Sequence, residues 1–331
     1  MENKKFNILK NNLSMQLKTR KILVTGGAGF LGSHMCDLLL SCGVKVICVD
    51  DLSNGKKENI KHNFKNKKFK FFKKNINNLE QIKPVFSKEK PDYIMHYAAM
   101  VGVKKTSEKP LEVFKDIEGI KNIAALSRRY KVKKILFTSS SEVYGEPVKI
   151  PIAEDDTFNS KWPYGLVKIL GEQYFKAYYE KYGIPVTIVR FFNVYGPRQD
   201  FGDSGFVVSV FLKNALLGEP LIIFGNGRQT RDFVFVDDNV RLTLRAFLNE
   251  KVNGRPMNIG SGKSIQIIDL ANEVKKIIPS IKVTYKPFRQ KGEIIYRTPD
   301  VRFMKKMLKD EPEVKLNKGI KLTLGYLKNE K

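Results

Sequence analysis

Tyr164 and Lys168 are the residues whose types and spacing point most directly to chemistry. In a helix, side chains four positions apart lie on one face, so the segment YGLVK would place the phenol beside the amine. A neighbouring ammonium favours the phenolate and lowers a tyrosine pKa from its ordinary value of about 10. The pair therefore predicts a general base for a substrate alcohol, the alternative being an ordinary helix start.

A run of polar side chains, TSSSEVYG at 138–145, directly follows the apolar segment 134–138. Polar residues at the carboxyl end of a parallel strand lie where such sheets bind their ligands. A serine hydroxyl from this run would complete a proton relay between Tyr164 and a substrate alcohol. The run therefore predicts a second part of the same site.

Glycines are concentrated in KILVTGGAGFLGSH, residues 21–34, where an apolar run predicts a strand and Phe30 begins a helical pattern. Gly26, Gly29 and Gly32 fall at the turn between them. Such a turn directs backbone N–H groups and the positive end of a helix towards an anion. The segment therefore predicts a pyrophosphate site, the alternative being a tight turn without a ligand.

Asp50 ends the next apolar run, VKVICVD at 44–50. It lies about 20 residues beyond the glycines, where a dinucleotide-binding fold places the acid that binds ribose. A carboxylate accepts hydrogen bonds from both ribose hydroxyls and repels a 2′-phosphate. Since no Lys or Arg comes between it and Lys56, the sequence predicts NAD rather than NADP.

Short apolar strands alternate with helices through the first half of the chain, which is typical of a doubly wound, parallel α/β sheet. Strands are predicted at 21–25, 44–49, 69–72, 93–96, 134–138 and 186–190, and helices near 31–42, 79–87, 111–130 and 164–182. Later helices are predicted at 206–217, 237–249 and 265–278, among loops rich in glycine and proline.

This alternation divides the chain into three regions. We predict a polar N-terminal extension at 1–20, an NAD-binding Rossmann domain at 21–190, and a smaller C-terminal substrate-binding lobe at 191–331 that is partly interleaved with it. The cleft between the two lobes is the expected substrate site.

The net charge of +26 raises the question of a nucleic-acid or anionic-membrane partner. Lysines are spread along the chain, most densely at 65–74, and no nucleic-acid-binding motif accompanies them. There is no secretory segment at the start and no apolar run long enough to span a bilayer. The three cysteines lack metal-ligand spacing. We expect a cytoplasmic protein without a metal, membrane or nucleic-acid partner, a basic nucleic-acid-binding protein being the remote alternative.

Seven ordered blocks of the sequence resemble the extended short-chain dehydrogenase/reductase superfamily, in its nucleotide-sugar epimerase and dehydratase branch. The blocks are TGGAGFLGS (25–33), the acid at 50, HYAA (96–99), TSSSEVYG (138–145), YGLVK (164–168), RFFNVYGPRQ (190–199) and GNGRQTRDFVFVDD (225–238). Their order and approximate spacing match the family over residues 21–300. The resemblance implies a nucleotide-diphosphate sugar as substrate and NAD as cofactor.

The resemblance also implies roles for individual residues. Tyr164 would remove the proton of the hexose C4 hydroxyl, Lys168 would hold the nicotinamide ribose, and Ser140 would hydrogen-bond the C4 oxygen. Hydride transfer from C4 would give a 4-keto sugar. The implied cofactor-binding residues are Gly26, Gly29, Phe30, Leu31, Gly32, Asp50, Asn54, Asn75, Ile76 and Ala98, with Tyr164 and Lys168; the implied substrate-binding residues are Ser140, Asn193, Arg231 and Arg289.

Several positions depart from the family pattern. Asn75 stands where many members have an Asp that reaches the adenine. Asp116 replaces a helix Asn, which would alter the proton path behind Lys168. Gln290 stands at the expected phosphate-binding Arg, so Arg289 is taken as its substitute.

Glu142 bears on the fate of the sugar after C4 oxidation. Dehydratases and decarboxylases of the family carry Glu at this position, whereas epimerases often carry a small or hydroxyl residue. A decarboxylase also needs cations for a uronic carboxylate, and the start of the Tyr164 helix lacks them. We therefore expect a 4,6-dehydratase, with a 4-epimerase or a net C4 dehydrogenase as alternatives.

The helices predicted at 111–130 and 164–182 are apolar or aromatic around much of their circumference, for example at Tyr174 and Tyr178. One face of each would pack on the sheet, and another would remain for a second copy of the chain. Both this pattern and the family resemblance predict a four-helix interface between two copies, in a homodimer or a higher homo-oligomer.

Overall fold

The central sheet supports the predicted site and has seven parallel strands. The computed structural model describes residues 17, 19–202, 206–288 and 294–329. Its strands are β1 (Lys21–Thr25), β2 (Lys45–Asp50), β3 (Phe69–Lys73), β4 (Tyr93–His96), β5 (Lys134–Ser140), β6 (Val186–Phe191), β7 (Asn193–Tyr195), β8 (Leu221–Phe224), β9 (Thr230–Arg231), β10 (Phe233–Phe235), β11 (Pro256–Ile259), β12 (Ile265–Gln266) and β13 (Val283–Lys286). The order across the central sheet is β11–β6–β5–β4–β1–β2–β3.

Helices cover both faces of this sheet. They are α1 (Phe30–Ser41), α2 (Leu79–Glu89), α3 (Val103–Glu108), α4 (Pro110–Phe114), α5 (Asp116–Arg129), α6 (Pro163–Tyr182), α7 (Val207–Leu217), α8 (Val236–Leu248), α9 (Ile267–Ile277), α10 (Arg302–Leu308) and α11 (Leu316–Asn329). One apolar core contains residues of α1 and α8, and a second contains residues of α2, α5 and α6. Because the strands are covered on both faces, they are continuously apolar, as in Ile22–Val24.

The predicted doubly wound α/β fold is confirmed, and each of the six strands expected before residue 190 is present. The helix expected at 111–130 differs, because a turn at Lys115 divides it into α4 and α5. That division puts Asp116 at the start of α5, where its Oδ2 accepts a hydrogen bond from the backbone N–H of Met100 at 2.7 Å.

Residues beyond 190 also complete the central sheet. β11 pairs in parallel with β6, so the chain returns to the sheet after leaving it. The remaining strands form two-stranded pairs, β7 with β10, β8 with β13 and β9 with β12. The division at residue 191 into two lobes stays a prediction, and β11 is the element that crosses it. In the described part of the chain, no helix has the length and apolar character needed to cross a membrane.

A buried polar network lies beneath the carboxyl end of β5. Arg190 on β6 forms a paired hydrogen bond with Glu172 on α6, at 2.9 Å from Nε and 2.6 Å from Nη2. Glu172 also accepts a hydrogen bond from Ser139 at 2.5 Å, and Arg190 donates to the Tyr144 hydroxyl at 2.8 Å. Because a buried charge is costly unless paired, this network fixes the backbone on both sides of Ser140.

Candidate active site

A cleft with a cavity volume of about 1520 Å³ lies at the carboxyl ends of the central strands. Every residue predicted for the site, except Arg289, contributes to its lining. The predicted set therefore meets in one place, while the individual roles of these residues stay predictions. Arg289 lies outside the described residues.

The glycine turn between β1 and α1 has no room for side chains. Gly26 has a φ of +66°, and a Cβ there would lie 2.7 Å from the backbone N of Ala98. A Cβ on Gly32 would lie 2.1 Å from the carbonyl oxygen of Gly26. Gly29 is the N-cap of α1 and has no side chain to cap the first turn, so the N–H groups of that turn remain for a ligand in the cleft beside Phe30. This cradle fits the pyrophosphate of a dinucleotide.

Asp50 lies at the end of β2 and is only 7% exposed. Its Oδ2 accepts from the N–H of Ala28 at 3.0 Å, and its Oδ1 accepts from the N–H of Leu52 at 2.8 Å. Burial raises the pKa of Asp50, and these N–H groups act against that rise. Each carboxylate oxygen has a second acceptor site, so the fixed carboxylate fits a ribose diol.

The substitution Asp50→Ala is expected to weaken NAD binding, because each lost hydrogen bond to a charged group contributes about 1.5–3 kcal/mol. Calorimetric titration with NAD measures the change, and Asp155→Ala, at an exposed carboxylate outside the cleft lining, is the control. If Asp50→Ala bound NAD as tightly as the control, Asp50 would have no part in the cofactor site.

Asn75 and Ile76 line the cleft beyond β3. The Oδ1 of Asn75 accepts a hydrogen bond from the N–H of Asn77 at 2.8 Å, and its own N–H donates to Gln81 at 3.0 Å. These bonds hold the Asn75 side chain at the cleft wall, where its amide supplies a neutral polar group in place of a carboxylate.

Tyr164 is the second residue of α6, and a hydrogen bond joins its hydroxyl to Ser140 at the end of β5. Burial raises the pKa of Tyr164 well above its usual range, and the charge of Glu142 adds to this effect. The Nζ of Lys168 lies 5.6 Å from the centre of the Tyr164 ring. The expected lowering of the tyrosine pKa is therefore absent, because burial and the charges of Glu142 and Asp116 outweigh the hydrogen bond to Ser140.

Lys168 is buried one turn further along α6. Its Nζ donates to the carbonyl oxygen of Thr138 at 2.8 Å and lies 5.1 Å from the centre of the Phe137 ring. Burial lowers the pKa of Lys168 to about 8, although the charges of Asp116 and Glu172 oppose this. The amine is thus fixed in the cleft, with a pKa that is set mainly by burial and only partly restored by the two carboxylates.

Glu142 forms an ion pair with Arg297, a residue that the sequence analysis missed. Arg297 is 4% exposed, and its Nη1 and Nη2 both donate to the carboxylate, the latter at 3.4 Å. Burial alone would raise the pKa of Glu142, but Arg297 and Arg231 outweigh it and hold the pKa below its usual value. Glu142 is therefore a carboxylate. The two residues of this pair lie 155 positions apart, and no local motif connects them.

Asn193 and Arg231 also line the cleft. Among the described residues, the buried Oδ1 of Asn193 has no hydrogen-bond partner. A buried acceptor without a partner is uncommon, and this one could accept a hydrogen bond from a ligand in the cleft. Arg231 donates to the carbonyl oxygen of Thr230 at 2.8 Å and brings a positive charge to the cleft. The described parts of the chain hold no cluster of side chains suited to a metal ion.

A sequence model of the NAD dependent epimerase/dehydratase family matches residues 22–260, which include the glycine turn, Ser140, Tyr164 and Lys168. The chain belongs to this family. NAD is accordingly the cofactor of this epimerase/dehydratase-family enzyme, and the glycine cradle and Asp50 supply groups that fit it.

Relatives of this epimerase/dehydratase-family enzyme carry out different reactions. A UDP-N-acetyl-alpha-D-glucosaminuronate decarboxylase of Bacillus cytotoxicus is 35% identical, over 93% of this chain and 98% of its own. A UDP-glucose 4-epimerase of Mycolicibacterium smegmatis is 34% identical, over 94% and 99%. The crystal structure of the UDP-glucose 4-epimerase of Thermotoga maritima with UDP-glucose has a TM-score of 0.88 and 37% identity, over 94% and 99%.

Proposed function

We propose that this enzyme oxidises a nucleotide-diphosphate sugar at C4 and then removes the C5 proton, as a 4,6-dehydratase does. The hydrogen-bonded pair of Ser140 and Tyr164 supports the first step, because it offers a base and a donor to one hydroxyl group. Asn193 and Arg231, which line the same cleft, would bind the nucleotide diphosphate, Arg231 through charge-assisted hydrogen bonds.

Tyr164 requires a nearby positive charge to act as a base, since burial favours its neutral form. Oxidised NAD supplies a hydride acceptor and a positive charge when it is bound. Lys168 would hold the nicotinamide ribose and add its own charge beside the phenol. Ser140, which already bonds to Tyr164, would keep the substrate C4 hydroxyl in line with it.

The state of Glu142 is the observation that carries the second step. A ketone at C4 makes the C5 proton acidic, and removing that proton requires a base. Glu142 lines the same cleft as Tyr164 and is held as a carboxylate by Arg297 and Arg231. The proton would pass from C5 to Glu142 and from there to the C6 hydroxyl, which leaves as water. The hydride removed from C4 would then be returned to C6 and a solvent proton to C5, so that the 4-keto product has lost one water in all. A 4-epimerase needs no such base.

A decarboxylase is the second candidate, favoured by Arg297 and Arg231 beside Glu142. The sequence suggested a lack of cations at the start of the Tyr164 helix, but these two arginines reach the cleft from other parts of the chain. They would bind a uronic carboxylate, which a C4 ketone makes prone to leave as carbon dioxide. The relationship to the B. cytotoxicus decarboxylase supports the same candidate.

Mass spectrometry of products separates these reactions. The purified enzyme is incubated with a panel of UDP-, GDP- and dTDP-hexoses and hexuronates. Loss of one water supports the dehydratase, and loss of carbon dioxide supports the decarboxylase. An isomer of unchanged mass would indicate an epimerase, and loss of two hydrogens would indicate net oxidation; either result would overturn removal of the C5 proton.

We also propose that two copies of the chain associate through α4, α5 and α6. Leu111 is 79% exposed, and Phe114, Leu166 and Leu170 are also exposed on these helices. Such apolar surface on neighbouring helices fits a two-fold interface with a second copy.

The dimer proposal predicts that Leu170→Glu gives a monomer, because a charge would be buried at the interface. Light scattering at micromolar concentration measures the mass, and Leu217→Glu, at an exposed leucine on α7, is the control that should remain a dimer. A monomeric wild-type protein would contradict the proposal.

A further inference from the structure

We propose that Trp162 is a specificity-determining residue whose indole binds the apolar face of the substrate's sugar ring. The inference rests on the nucleotide-sugar substrate proposed above. Trp162 is the N-cap residue of α6 and comes two positions before Tyr164. Both residues line the cleft, together with Ser140. The indole therefore belongs to the end of the cleft where the C4 hydroxyl of the sugar would bind.

The backbone around Trp162 is fixed by contacts that do not involve its side chain. Its carbonyl oxygen accepts the first hydrogen bond of α6, from the N–H of Leu166 at 3.1 Å. The Ser160 hydroxyl donates to the same oxygen at 3.5 Å. The segment also approaches the loop after β5 closely, since a Cβ on Gly165 would lie 2.7 Å from the carbonyl oxygen of Glu142. The start of α6 is thus held by its backbone, which leaves the indole for another role.

The Trp162 side chain is 41% exposed. Among the described aromatic residues that line the cleft, it is the exposed one, and the others are buried or half-buried. An indole combines a flat apolar face with a single N–H donor, so it can contact an apolar surface and still donate a hydrogen bond. A large apolar side chain left exposed in a concave polar site is typical of a ligand-binding surface.

The sugar ring is the part of the substrate that matches this surface. The C–H bonds on one face of a pyranose form an apolar patch with a slight positive charge, which suits the negative face of an aromatic ring. The cleft residues proposed for the cofactor ribose and the diphosphate, Asp50, Asn193 and Arg231, offer polar or charged groups and do not suit such a patch. Trp162 would therefore hold the sugar by its face while Tyr164 acts on the C4 hydroxyl.

Tryptophan fluorescence tests this contact directly, because Trp162 is the single tryptophan of the chain. The probe is a nucleotide sugar that the wild type converts, and the matching nucleoside diphosphate is the control ligand. Both are added to Tyr164→Phe loaded with NAD, in which C4 oxidation is blocked and no reduced cofactor forms to quench the emission. The nucleotide sugar should shift the emission to shorter wavelength, because the sugar displaces water from the indole. The nucleoside diphosphate should leave the emission unchanged.

Two substitutions test what the contact contributes to binding. Trp162→Ala should weaken binding of the nucleotide sugar by about 10-fold, the order expected for one aromatic contact, whereas Trp162→Phe keeps a ring and should retain most of the affinity. Affinities for NAD and for the nucleoside diphosphate should stay the same in both variants, since the backbone contacts at this position remain. Tyr285→Ala removes an exposed ring outside the cleft lining and is the matched control.

An emission that the nucleotide sugar does not move, or that the nucleoside diphosphate moves equally, would overturn the inference. Wild-type affinity of Trp162→Ala for the nucleotide sugar would also overturn it, and so would an equal loss of affinity for all three ligands, which would indicate a structural role. If the wild type converts no nucleotide sugar of the panel, the proposed function itself fails, so the two failures are distinguishable.

Discussion

Replacing Tyr164 with Phe is expected to lower turnover by about 10²–10⁴-fold, because general acid–base groups typically contribute that much. The change removes the phenolic oxygen that bonds to Ser140 and leaves the ring in place on α6. NAD affinity should remain within a few-fold of the wild type. Turnover is followed by product formation and binding by titration.

Tyr174→Phe is the matched control for this variant, since Tyr174 lies on the same helix and outside the cleft lining. It should turn over normally. Turnover of Tyr164→Phe within a few-fold of the control would exclude the phenol as the base at C4.

Replacing Glu142 with Gln is expected to stop the reaction after C4 oxidation. The amide keeps an oxygen that can accept from Arg297 but cannot take the C5 proton at neutral pH. C4 oxidation does not require that proton transfer, so the near-ultraviolet absorbance of the reduced cofactor should accumulate on the enzyme. The rate at which the sugar loses water should fall by about 10²–10⁴-fold, the usual effect of removing a general base.

Glu146→Gln, an exposed glutamate in the same segment, is the control and should show no accumulation. A circular dichroism spectrum verifies that the unpaired Arg297 has not disturbed the fold. Normal turnover by Glu142→Gln would exclude the dehydratase and leave C4 oxidation in place.

The parts of the site that the sequence predicted are those with local patterns. The glycine turn, Asp50 and the Tyr164–Lys168 pair each lie within one strand–turn–helix segment, where spacing determines which groups share an edge or a face. The strands of the sheet are parallel, so their carboxyl ends lie along the same edge. Once each segment is predicted as a strand of this sheet, the polar residues that follow the strands are therefore predicted to lie in one cleft.

The parts that the sequence did not predict depend on long-range packing. Arg297 reaches Glu142 from 155 positions away, and a single Arg carries no spacing to indicate this. The pKa of Tyr164 is set mainly by burial, which a helical spacing to Lys168 does not reveal. Similarly, β11 joins the sheet from beyond residue 250 because β6 leaves an edge open to it.

Removal of the C5 proton after C4 oxidation is tested most directly by running the reaction in deuterium oxide. The wild-type enzyme is incubated with the panel of nucleotide hexoses, and the products are analysed by mass spectrometry and NMR. A dehydratase that works through Glu142 gives a product that has lost one water and carries one deuterium on C5. A product of unchanged mass with no deuterium on carbon would contradict it.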